Sequence, residues 1–249
     1  MKILGIIPAR YASSRFPGKP LAKVGDQSMI QRVYQRCEKA ERLTDVIVAT
    51  DDTRIATHVK SFGGKVIMTS EFHETGTDRC AEALALLADA DSYDYIINIR
   101  GNEPFIALDL INALCDMLDY KTEIATVVKR IEKWETLEDT NVVKVVLTMR
   151  KQALYFSRQA IPFVWDVPKS EWLQKAEFYK HIGIYAYRND VLRQIVKLPL
   201  NVLEQTERLE QLRWLGYGYK IYATETQHEI IGIETPEDLK KLNLNKEGQ

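Results

Sequence analysis

The sequence contains few cysteines, and their spacing suits neither a disulfide framework nor a zinc site. Cys37, Cys80 and Cys115 are odd in number, lie far apart and form no CxxC pair, so they read as buried free thiols in a reducing compartment. Long hydrophobic runs are also missing, which argues against a membrane-spanning helix. The first apolar run, residues 3–7, is too short for a signal peptide. We therefore expect a cytoplasmic protein without membrane insertion.

The sequence also lacks an excess of charge of either sign. Its 34 Lys and Arg residues are balanced by 35 Asp and Glu residues, whereas a nucleic-acid-binding protein usually carries a basic excess. We therefore expect no nucleic-acid partner. The 249 residues are 45% hydrophobic and 28% charged, which suffices for a large core and excludes disorder. No segment has the composition of a linker, so we expect a single domain over residues 1–249.

The first half of the chain alternates short apolar runs with amphipathic stretches. We predict buried strands at 3–7, 46–49, 65–68 and 95–99, and helices at 28–41, 55–62, 78–90 and 108–118. Repeated strand–helix units favour a mostly parallel sheet with helices on both faces, which is a three-layer, Rossmann-like α/β fold. Ligands bind such sheets at the carboxyl ends of the strands. That rule points to the loops at 8–20, 50–52, 70–79 and 100–104.

The second half is less regular and richer in aromatic residues. We predict strands at 142–147, 153–156, 181–187, 221–224 and 230–233, and helices at 203–215 and from Pro236. The segment 162–180 carries Trp165 and Trp172 and has the pattern of an excursion from the sheet. We therefore expect a smaller, β-rich part inserted in the second half.

The loop at 8–20 has the chemistry of a phosphate-binding loop. Arg10, Arg15 and Lys19 bring three positive charges to the end of a buried strand, and its prolines reduce the entropy lost on binding. Positive charges and backbone N–H groups are what a triphosphate requires. The loop is neither a Walker A motif, because Pro20 follows the lysine, nor a GxGxxG loop. A solvated basic loop is the alternative, and the position directly after the first buried strand favours phosphate binding.

Residues 6–21, with the sequence IIPARYASSRFPGKPL, closely resemble the signature of the 3-deoxy-manno-octulosonate cytidylyltransferases. The resemblance continues in chain order at 48–52, 76–79, 153–158, 181–185, 209–213 and 235–239, and so spans nearly the whole chain. That family joins CMP from CTP to an eight-carbon sugar acid for lipopolysaccharide, with release of pyrophosphate. The resemblance thus implies a nucleotidyltransferase fold, CTP and a sugar acid as substrates, Mg²⁺ as cofactor and a homodimer.

The resemblance also implies residue roles. The triphosphate would be held by catalytic cations and a hydroxyl, namely Arg10, Arg15, Lys19 and Ser13. The backbone of Ala9 and the side chain of Arg79 would lie near the cytosine. The sugar acid would be bound by Arg100, His181, Tyr185, Glu210 and Gln211. The CTP-binding half would cover about 1–125, and the sugar-binding and dimerisation elements about 140–225.

Several of these residues have a plainer interpretation on sequence alone. His181 and Tyr185 fit a core strand, while Glu210 and Gln211 fit the solvated face of a leucine-lined helix. Asp52, which follows the second strand, is expected to cap the next helix.

The chain departs from the family pattern at its expected metal site. The family sequence Gln-Gly-Asp-Glu-Pro is replaced by Arg100-Gly101-Asn102-Glu103-Pro104, and the family's second metal-binding aspartate is Glu234. Mg²⁺ prefers hard oxygen ligands, so Asn102 and Glu234 are the metal candidates, with an affinity lowered by the lost charge. Arg100 adds a positive charge that can take over part of the metal's electrostatic role.

These departures leave several functions open. We favour an active cytidylyltransferase, because the phosphate loop and the sugar-side residues match the family. One alternative is an enzyme for a related sugar acid, such as an amino-substituted octulosonate. Others are a nucleotide-binding paralogue without turnover and a hexose-1-phosphate nucleotidyltransferase.

Overall fold

The computed structural model describes residues 1–13, 15–229 and 232–247. The chain divides into two compact units, of which the first comprises Met1–Cys115 with the segment from Glu229 onward, and the second comprises Asp116–His228. The single domain over 1–249 stays a prediction, as do its halves at about 1–125 and 140–225.

The first unit is built on four parallel strands, whose order follows from their pairing. These are β1 (Ile3–Ala9), β4 (Asp45–Thr50), β5 (Val66–Met68) and β6 (Tyr95–Asn98), while the two-residue strands β2 (Lys23–Val24) and β3 (Gln27–Ser28) form a separate hairpin. β1 pairs with both β4 and β6, and β4 pairs with β5. β1 is buried over nearly its whole length, as expected for an apolar strand inside a parallel sheet. The four predicted strands of the first half are confirmed.

Four helices accompany these strands: α1 (Met29–Cys37), α2 (Thr53–Ser61), α3 (Gly76–Ala85) and α4 (Leu108–Asp116). The Asp52 side chain accepts a hydrogen bond from the Arg54 backbone N–H and so caps α2, as predicted. The prediction for α3 is wrong at both ends, since the helix begins two residues earlier and ends at Ala85 rather than Ala90. Its start is fixed by Thr75, whose hydroxyl accepts from the Asp78 N–H at 3.1 Å.

The second unit contains the antiparallel pairing. Its strands are β7 (Ile124–Arg130), β8 (Lys144–Leu147), β9 (Ala153–Ser157), β10 (Tyr179–Arg188) and β11 (Ile221–Glu225). β7 pairs antiparallel with β10 and parallel with β11, and β8 pairs antiparallel with β9 and with the start of β10. β7 is absent from the predicted strands, although its Ile-Ala-Thr-Val-Val sequence has the β-branched composition of a strand. The predicted α/β class with a mostly parallel sheet is confirmed.

The helices of the second unit are short: α5 (Trp134–Glu138), α6 (Trp172–Lys175), α7 (Asn189–Ile195), α8 (Val202–Glu207) and α9 (Gln211–Gly216). The prediction of one helix at 203–215 is wrong, because Arg208 adopts a left-handed conformation with φ 55° and separates α8 from α9. The Glu207 carboxylate is held at the end of β9, where it accepts from Ser157 Oγ at 2.6 Å and from the Arg158 N–H at 3.0 Å.

The chain returns to the first unit with helix α10 (Pro236–Glu247), which begins at Pro236 as predicted. The strand predicted at 230–233 falls partly outside the described residues, since Ile230 and Ile231 are not among them, and Ile233 lies in a loop. Within the described part of the chain, no helix is long and apolar enough to cross a membrane.

Candidate active site

A cleft of about 460 Å³ opens in the first unit where β1 and β6 end. Its walls come from the loop at 8–20, the segment 73–79 around the start of α3, the loop at 100–102 and Glu234. The predicted nucleotide and metal residues of this unit all line it, namely Ala9, Arg10, Ser13, Arg15, Lys19, Arg79, Asn102 and Glu234. Arg100, which was predicted to bind the sugar acid, lines it as well. The structure therefore brings together residues that are up to 225 positions apart in the sequence, as the strand-end rule predicted.

The loop at 8–20 folds back on itself at Gly18. The Gly18 N–H donates to the Tyr11 carbonyl at 2.9 Å, and Gly18 has φ 69°, a conformation that favours glycine. The Ser13 hydroxyl accepts from the Phe16 N–H at 3.3 Å and thereby closes a second, smaller turn. The two contacts fix the backbone at Phe16, directly after Arg15, and at Gly18, directly before Lys19. The Arg15 and Lys19 side chains both extend toward the same carboxylate.

That carboxylate belongs to Glu234, and three cations surround it. Glu234 Oε2 lies 3.2 Å from Arg15 Nη2 and 3.1 Å from Lys19 Nζ. Glu234 Oε1 lies 3.1 Å from Arg100 Nη2 and accepts from Asn102 Nδ2 at 2.8 Å. We call these five side chains the Glu234 cluster. It holds three positive charges against one negative charge, which leaves the cleft attractive to a polyanion.

The backbone brings Glu234 to the cleft through two contacts. The N–H of Ile233 donates to the Asn102 carbonyl at 2.9 Å, and the N–H of Glu234 donates to Asp238 Oδ2 at 3.1 Å in the first turn of α10. The segment before α10 is therefore tied to the loop after β6. Sequence reasoning identified Glu234 only through the family pattern, because its partners lie more than 130 residues away.

Glu103 is a buried carboxyl group behind this cluster. Its Oε1 lies 3.4 Å from Arg100 Nε and has no hydrogen-bond partner among the described residues. Burial raises the pKa of Glu103 to about 7, although the Arg100 guanidinium opposes the shift. Arg100 is thus shared between the exposed carboxylate of the cleft and a buried one behind it.

Arg79 is almost completely buried, and its guanidinium is hydrogen-bonded to neighbouring loops. Arg79 Nη1 donates to Thr69 Oγ1 at 2.7 Å and to the Ser70 carbonyl at 3.2 Å, while Nη2 donates to Asp51 Oδ2 at 3.1 Å. It therefore joins the loops after β4 and β5 at one wall of the cleft. Arg79 was predicted to lie near this wall, but its hydrogen bonds to the loops after β4 and β5 were not predicted.

In the second unit, the four predicted sugar-side residues lie on β10 and at the start of α9. The rings of His181 and Tyr185 lie 5.0 Å apart, and His181 Nε2 is 3.0 Å from Thr126 Oγ1. A β-bulge interrupts the register with β7 between these two residues, which re-aims their side chains. Tyr185 is buried, as the core-strand interpretation expected, yet its hydroxyl has no hydrogen-bond partner in the described residues.

Burial raises the pKa of Tyr185 well above its usual value, and the charge of Glu210 adds to the shift. Glu210 Oε1 lies 3.1 Å from Arg213 Nη2. Gln211 is only 5% exposed, so the solvated-face interpretation is wrong for this residue. The buried Gln211 amide and the Tyr185 hydroxyl, which has no hydrogen-bond partner among the described residues, are polar groups of the kind that a hydroxylated ligand needs.

Metal binding at the first-unit cleft depends on few side chains. Among the described residues, no group of three or more His, Cys, Asp or Glu side chains surrounds a common position. The two predicted metal residues, Asn102 and Glu234, do meet at 2.8 Å. They offer one carboxylate and one amide group, and Mg²⁺ sites of this sparse kind are completed by water and substrate phosphates.

The parallel sheet with a cation-lined cleft at its strand ends defines a nucleotidyltransferase. Residues 4–221 match the family model described as cytidylyltransferase. The chain is 50% identical over 246 residues to the 3-deoxy-manno-octulosonate cytidylyltransferase of Parabacteroides distasonis, covering 97% of this chain and 96% of that one. It is 52% identical over 244 residues to the enzyme of the same name from Bacteroides thetaiotaomicron, with 96% of each chain covered. The chain therefore belongs to the 3-deoxy-manno-octulosonate cytidylyltransferase family.

Solved structures agree with this assignment. The structure of CMP:2-keto-3-deoxy-manno-octonic acid synthetase complexed with CTP superposes with a TM-score of 0.91 at 39% identity, covering 100% of this chain and 99% of that one. A 4-diphosphocytidyl-2C-methyl-D-erythritol synthase from Anaerococcus prevotii, at 12% identity and a TM-score of 0.64, shares the fold alone.

Proposed function

We propose that this protein transfers CMP from CTP to 3-deoxy-manno-octulosonate and releases pyrophosphate, which activates the sugar acid for lipopolysaccharide synthesis. The observation that carries the proposal is the Glu234 cluster, which gathers Arg15, Lys19 and Arg100 at one cleft. A nucleoside triphosphate is the ligand that several converging cations fit best. The 39% identical neighbour is itself a complex with CTP.

The chain's own cations would do most of the work on the nucleotide. Arg10, Ser13, Arg15 and Lys19 are the proposed triphosphate ligands, and the cations exchange Glu234 for phosphate oxygens as CTP enters. The Ala9 backbone and Arg79 are the proposed neighbours of the cytosine. A sugar hydroxyl then attacks the α-phosphorus, the bond to the β-phosphate oxygen breaks, and pyrophosphate leaves. Such a displacement depends on positioning and on neutralising charge.

Candidate ligands of the sugar acid lie in each unit, and each set is proposed on its own contacts. In the second unit, His181, Tyr185, Glu210 and Gln211 are the proposed partners of its hydroxyl groups. Tyr185 and Gln211 are buried, and the Tyr185 hydroxyl has no hydrogen-bond partner among the described residues. In the first unit, Arg100 is the proposed partner of an anionic group, because it brings a positive charge to the cleft, where it lies beside Glu103 and Glu234. An amino-substituted sugar acid would meet a cation at Arg100 and is therefore the less favoured substrate.

We assign the Mg²⁺ site to Asn102 and Glu234. The fit rests on the chemistry of the pair, which supplies one carboxylate and one amide group. Asn102 Nδ2 donates to Glu234 Oε1 at 2.8 Å, so the amide would turn to present its oxygen to the ion. When bound, the ion would neutralise charge on the triphosphate. The protein contributes Glu234 as the anionic ligand, Asn102 as a neutral one, and Arg100 as a fixed positive charge beside both.

We also propose that two copies of the chain form a homodimer in the cytoplasm. The excursion at 162–180 exposes two aromatic side chains, Phe163 at 68% and Trp165 at 85%. A cytoplasmic site agrees with the use of CTP and with Cys37, Cys80 and Cys115, which are all buried free thiols.

The experiment follows pyrophosphate release from CTP, Mg²⁺ and 3-deoxy-manno-octulosonate, with wild type, Lys19→Met and Lys23→Met. Lys23 is the matched control, because it lies four residues away on β2 and its Nζ donates to the Asp26 carbonyl in an exposed hydrogen bond outside the cleft. We expect turnover by the wild type and a rise of about tenfold or more in the CTP KM of Lys19→Met, since a charge-assisted hydrogen bond is worth about 1.5–3 kcal/mol. Lys23→Met is expected to match the wild type.

Other outcomes identify the alternatives. Thermal protection by CTP without turnover of any sugar acid would identify a nucleotide-binding paralogue. Turnover of an amino-substituted octulosonate alone would reassign the substrate. Stronger protection by UTP than by CTP would point to a hexose-1-phosphate enzyme, and an unchanged KM in Lys19→Met would contradict the assignment of the loop.

A further inference from the structure

Arg54, in the first turn of α2, lies over the ring of Tyr11 in the phosphate loop. Its Cζ is 3.3 Å from the ring centroid, which is a close cation–π contact. The guanidinium is fixed from the other side by Asp52, since Nε donates to Oδ1 at 2.9 Å and Nη2 donates to Oδ2 at 2.6 Å. This hydrogen bond to Arg54 lowers the pKa of Asp52. A bidentate pair of this kind holds the planar group in one orientation.

Asp52 is itself held by the helix that it caps. Its Oδ1 accepts the backbone N–H of Arg54 at 2.8 Å, and its own N–H donates to Thr50 Oγ1 at 3.2 Å at the end of β4. The stack on Tyr11 is thus anchored to the sheet through a strand end and a helix start.

Tyr11 passes this restraint to the tip of the loop. Its carbonyl accepts the Gly18 N–H, and a Cβ on Gly18 would lie only 3.1 Å from Tyr11 Cζ. The ring therefore contacts the Gly18 backbone closely. Gly18 directly precedes Lys19, whose ammonium group belongs to the Glu234 cluster. An unbroken series of contacts runs from α2 to the cation that meets the triphosphate.

We propose that Arg54 is a positioning residue that clamps Tyr11 and so holds the phosphate loop in the shape that binds CTP. The inference rests on the proposed function and adds a residue that touches no substrate. An unclamped loop would lose conformational entropy when it closes on the triphosphate, and a clamped loop has lost that entropy beforehand. The clamp thus acts on CTP binding and leaves the chemical step alone.

The test compares Arg54→Ala, Arg54→Lys and the control Lys60→Ala by the KM for CTP, by kcat and by the rate at which trypsin cuts the ligand-free loop. Lys60 lies on the exposed side of the same helix, so its removal changes the net charge equally. We expect Arg54→Ala to raise the CTP KM about fivefold at unchanged kcat and to speed tryptic cleavage between Arg10 and Lys19 by a similar factor. Lys60→Ala is expected to change neither quantity.

Arg54→Lys separates stacking from charge, because lysine keeps the charge but loses the planar fork. If Arg54 acts as a clamp, Arg54→Lys has a CTP KM and a cleavage rate close to those of Arg54→Ala. A wild-type KM in Arg54→Lys would overturn the proposal. In a double-mutant cycle, Tyr11→Leu combined with Arg54→Ala is expected to be no worse than either change alone. Additive effects, or wild-type cleavage in Arg54→Ala, would equally overturn the proposal. Tryptic cleavage needs no CTP, so it tests the clamp even if the wild type fails to turn over the proposed substrates.

Discussion

Glu234 accepts contacts from three cations and one amide in the described structure. An exposed ion pair usually contributes little, because water competes for both charges. Here the carboxylate keeps Arg15, Lys19 and Arg100 within reach of one another despite their mutual repulsion. The cations are therefore already gathered before a triphosphate arrives, which lowers the cost of arranging them around it.

Asn102 offers the sharpest test of the metal assignment. Replacing Asn102 by Asp puts a second carboxylate beside Glu234 and removes the amide donor at 2.8 Å. We expect Asn102→Asp to lower the Mg²⁺ concentration for half-maximal activity about tenfold, which corresponds to about 1.4 kcal/mol, because the two charges attract a cation together.

The measurement is a Mg²⁺ titration of pyrophosphate release at saturating CTP. Asn189→Asp is the control, since Asn189 opens α7 in the second unit, where an aspartate is well accommodated. An unchanged half-maximal concentration in Asn102→Asp would show that the ion is not held at this pair.

The sequence allowed the cleft's cations to be predicted, because Arg10, Arg15 and Lys19 follow one buried strand. It did not reveal that Glu234 pairs with Arg15 and Lys19, since these pairs join positions 219 and 215 residues apart. Arg79 was likewise predicted to lie at the cleft. Its burial against Thr69 and Asp51 was not predicted, because it depends on how two loops pack. Local pattern predicts which residues share a sheet edge, and only the folded chain determines which of them contact each other.

The β8–β9 hairpin is organised around a buried lysine. Lys144 is 0% exposed, and its Nζ donates to the carbonyls of Asp139 at 2.9 Å, Val142 at 2.6 Å and Arg158 at 2.5 Å. Burial lowers the pKa of Lys144. The three carbonyls satisfy all three ammonium protons, and they join the segment before β8 to the residue after β9.

Lys144→Met is expected to lower the free energy of unfolding by about 3 kcal/mol, because three carbonyls lose their ammonium donor. Of these, the Asp139 carbonyl keeps the Val142 N–H at 3.0 Å. Urea denaturation followed by circular dichroism measures this loss. Lys129→Met is the matched control, as Lys129 Nζ donates to the Gln227 carbonyl at 2.7 Å in an exposed hydrogen bond. Equal losses in the two variants would show that the buried contacts carry no special weight.

Helices and strands of the second unit were harder to predict than those of the first. The leucine spacing at 203–215 indicates one helix, but Arg208 turns left-handed where Glu207 is drawn to Ser157. A side chain that bonds to a distant strand can interrupt a helix that local spacing favours. β7 was not predicted, although its β-branched residues are typical of a strand. Local composition was therefore sufficient to find this strand.

Exposed aromatic residues on the excursion predict how the protein behaves as an assembly. Trp172 and Phe178 anchor a buried cluster, while Phe163 and Trp165 extend from the same segment into solvent. Large aromatic side chains gain most from burial against a partner.

We expect light scattering to give twice the chain mass for the wild type at micromolar concentration, and a shift toward the single-chain mass for Trp165→Ser. Met149→Ser is the control, because Met149 is 100% exposed but lies outside the excursion. A single-chain mass for the wild type would contradict the homodimer, and dissociation by both variants would remove the excursion from the interface.

The pairing of Lys19 with Glu234 also has a consequence for biosynthesis. A ribosome that has just made the phosphate loop must add 215 further residues before the opposing carboxylate exists. Until then the nascent loop carries its positive charges uncompensated. The nucleotide pocket therefore reaches its final charge balance only after Glu234 has been added, whichever part of the sheet has formed by that time.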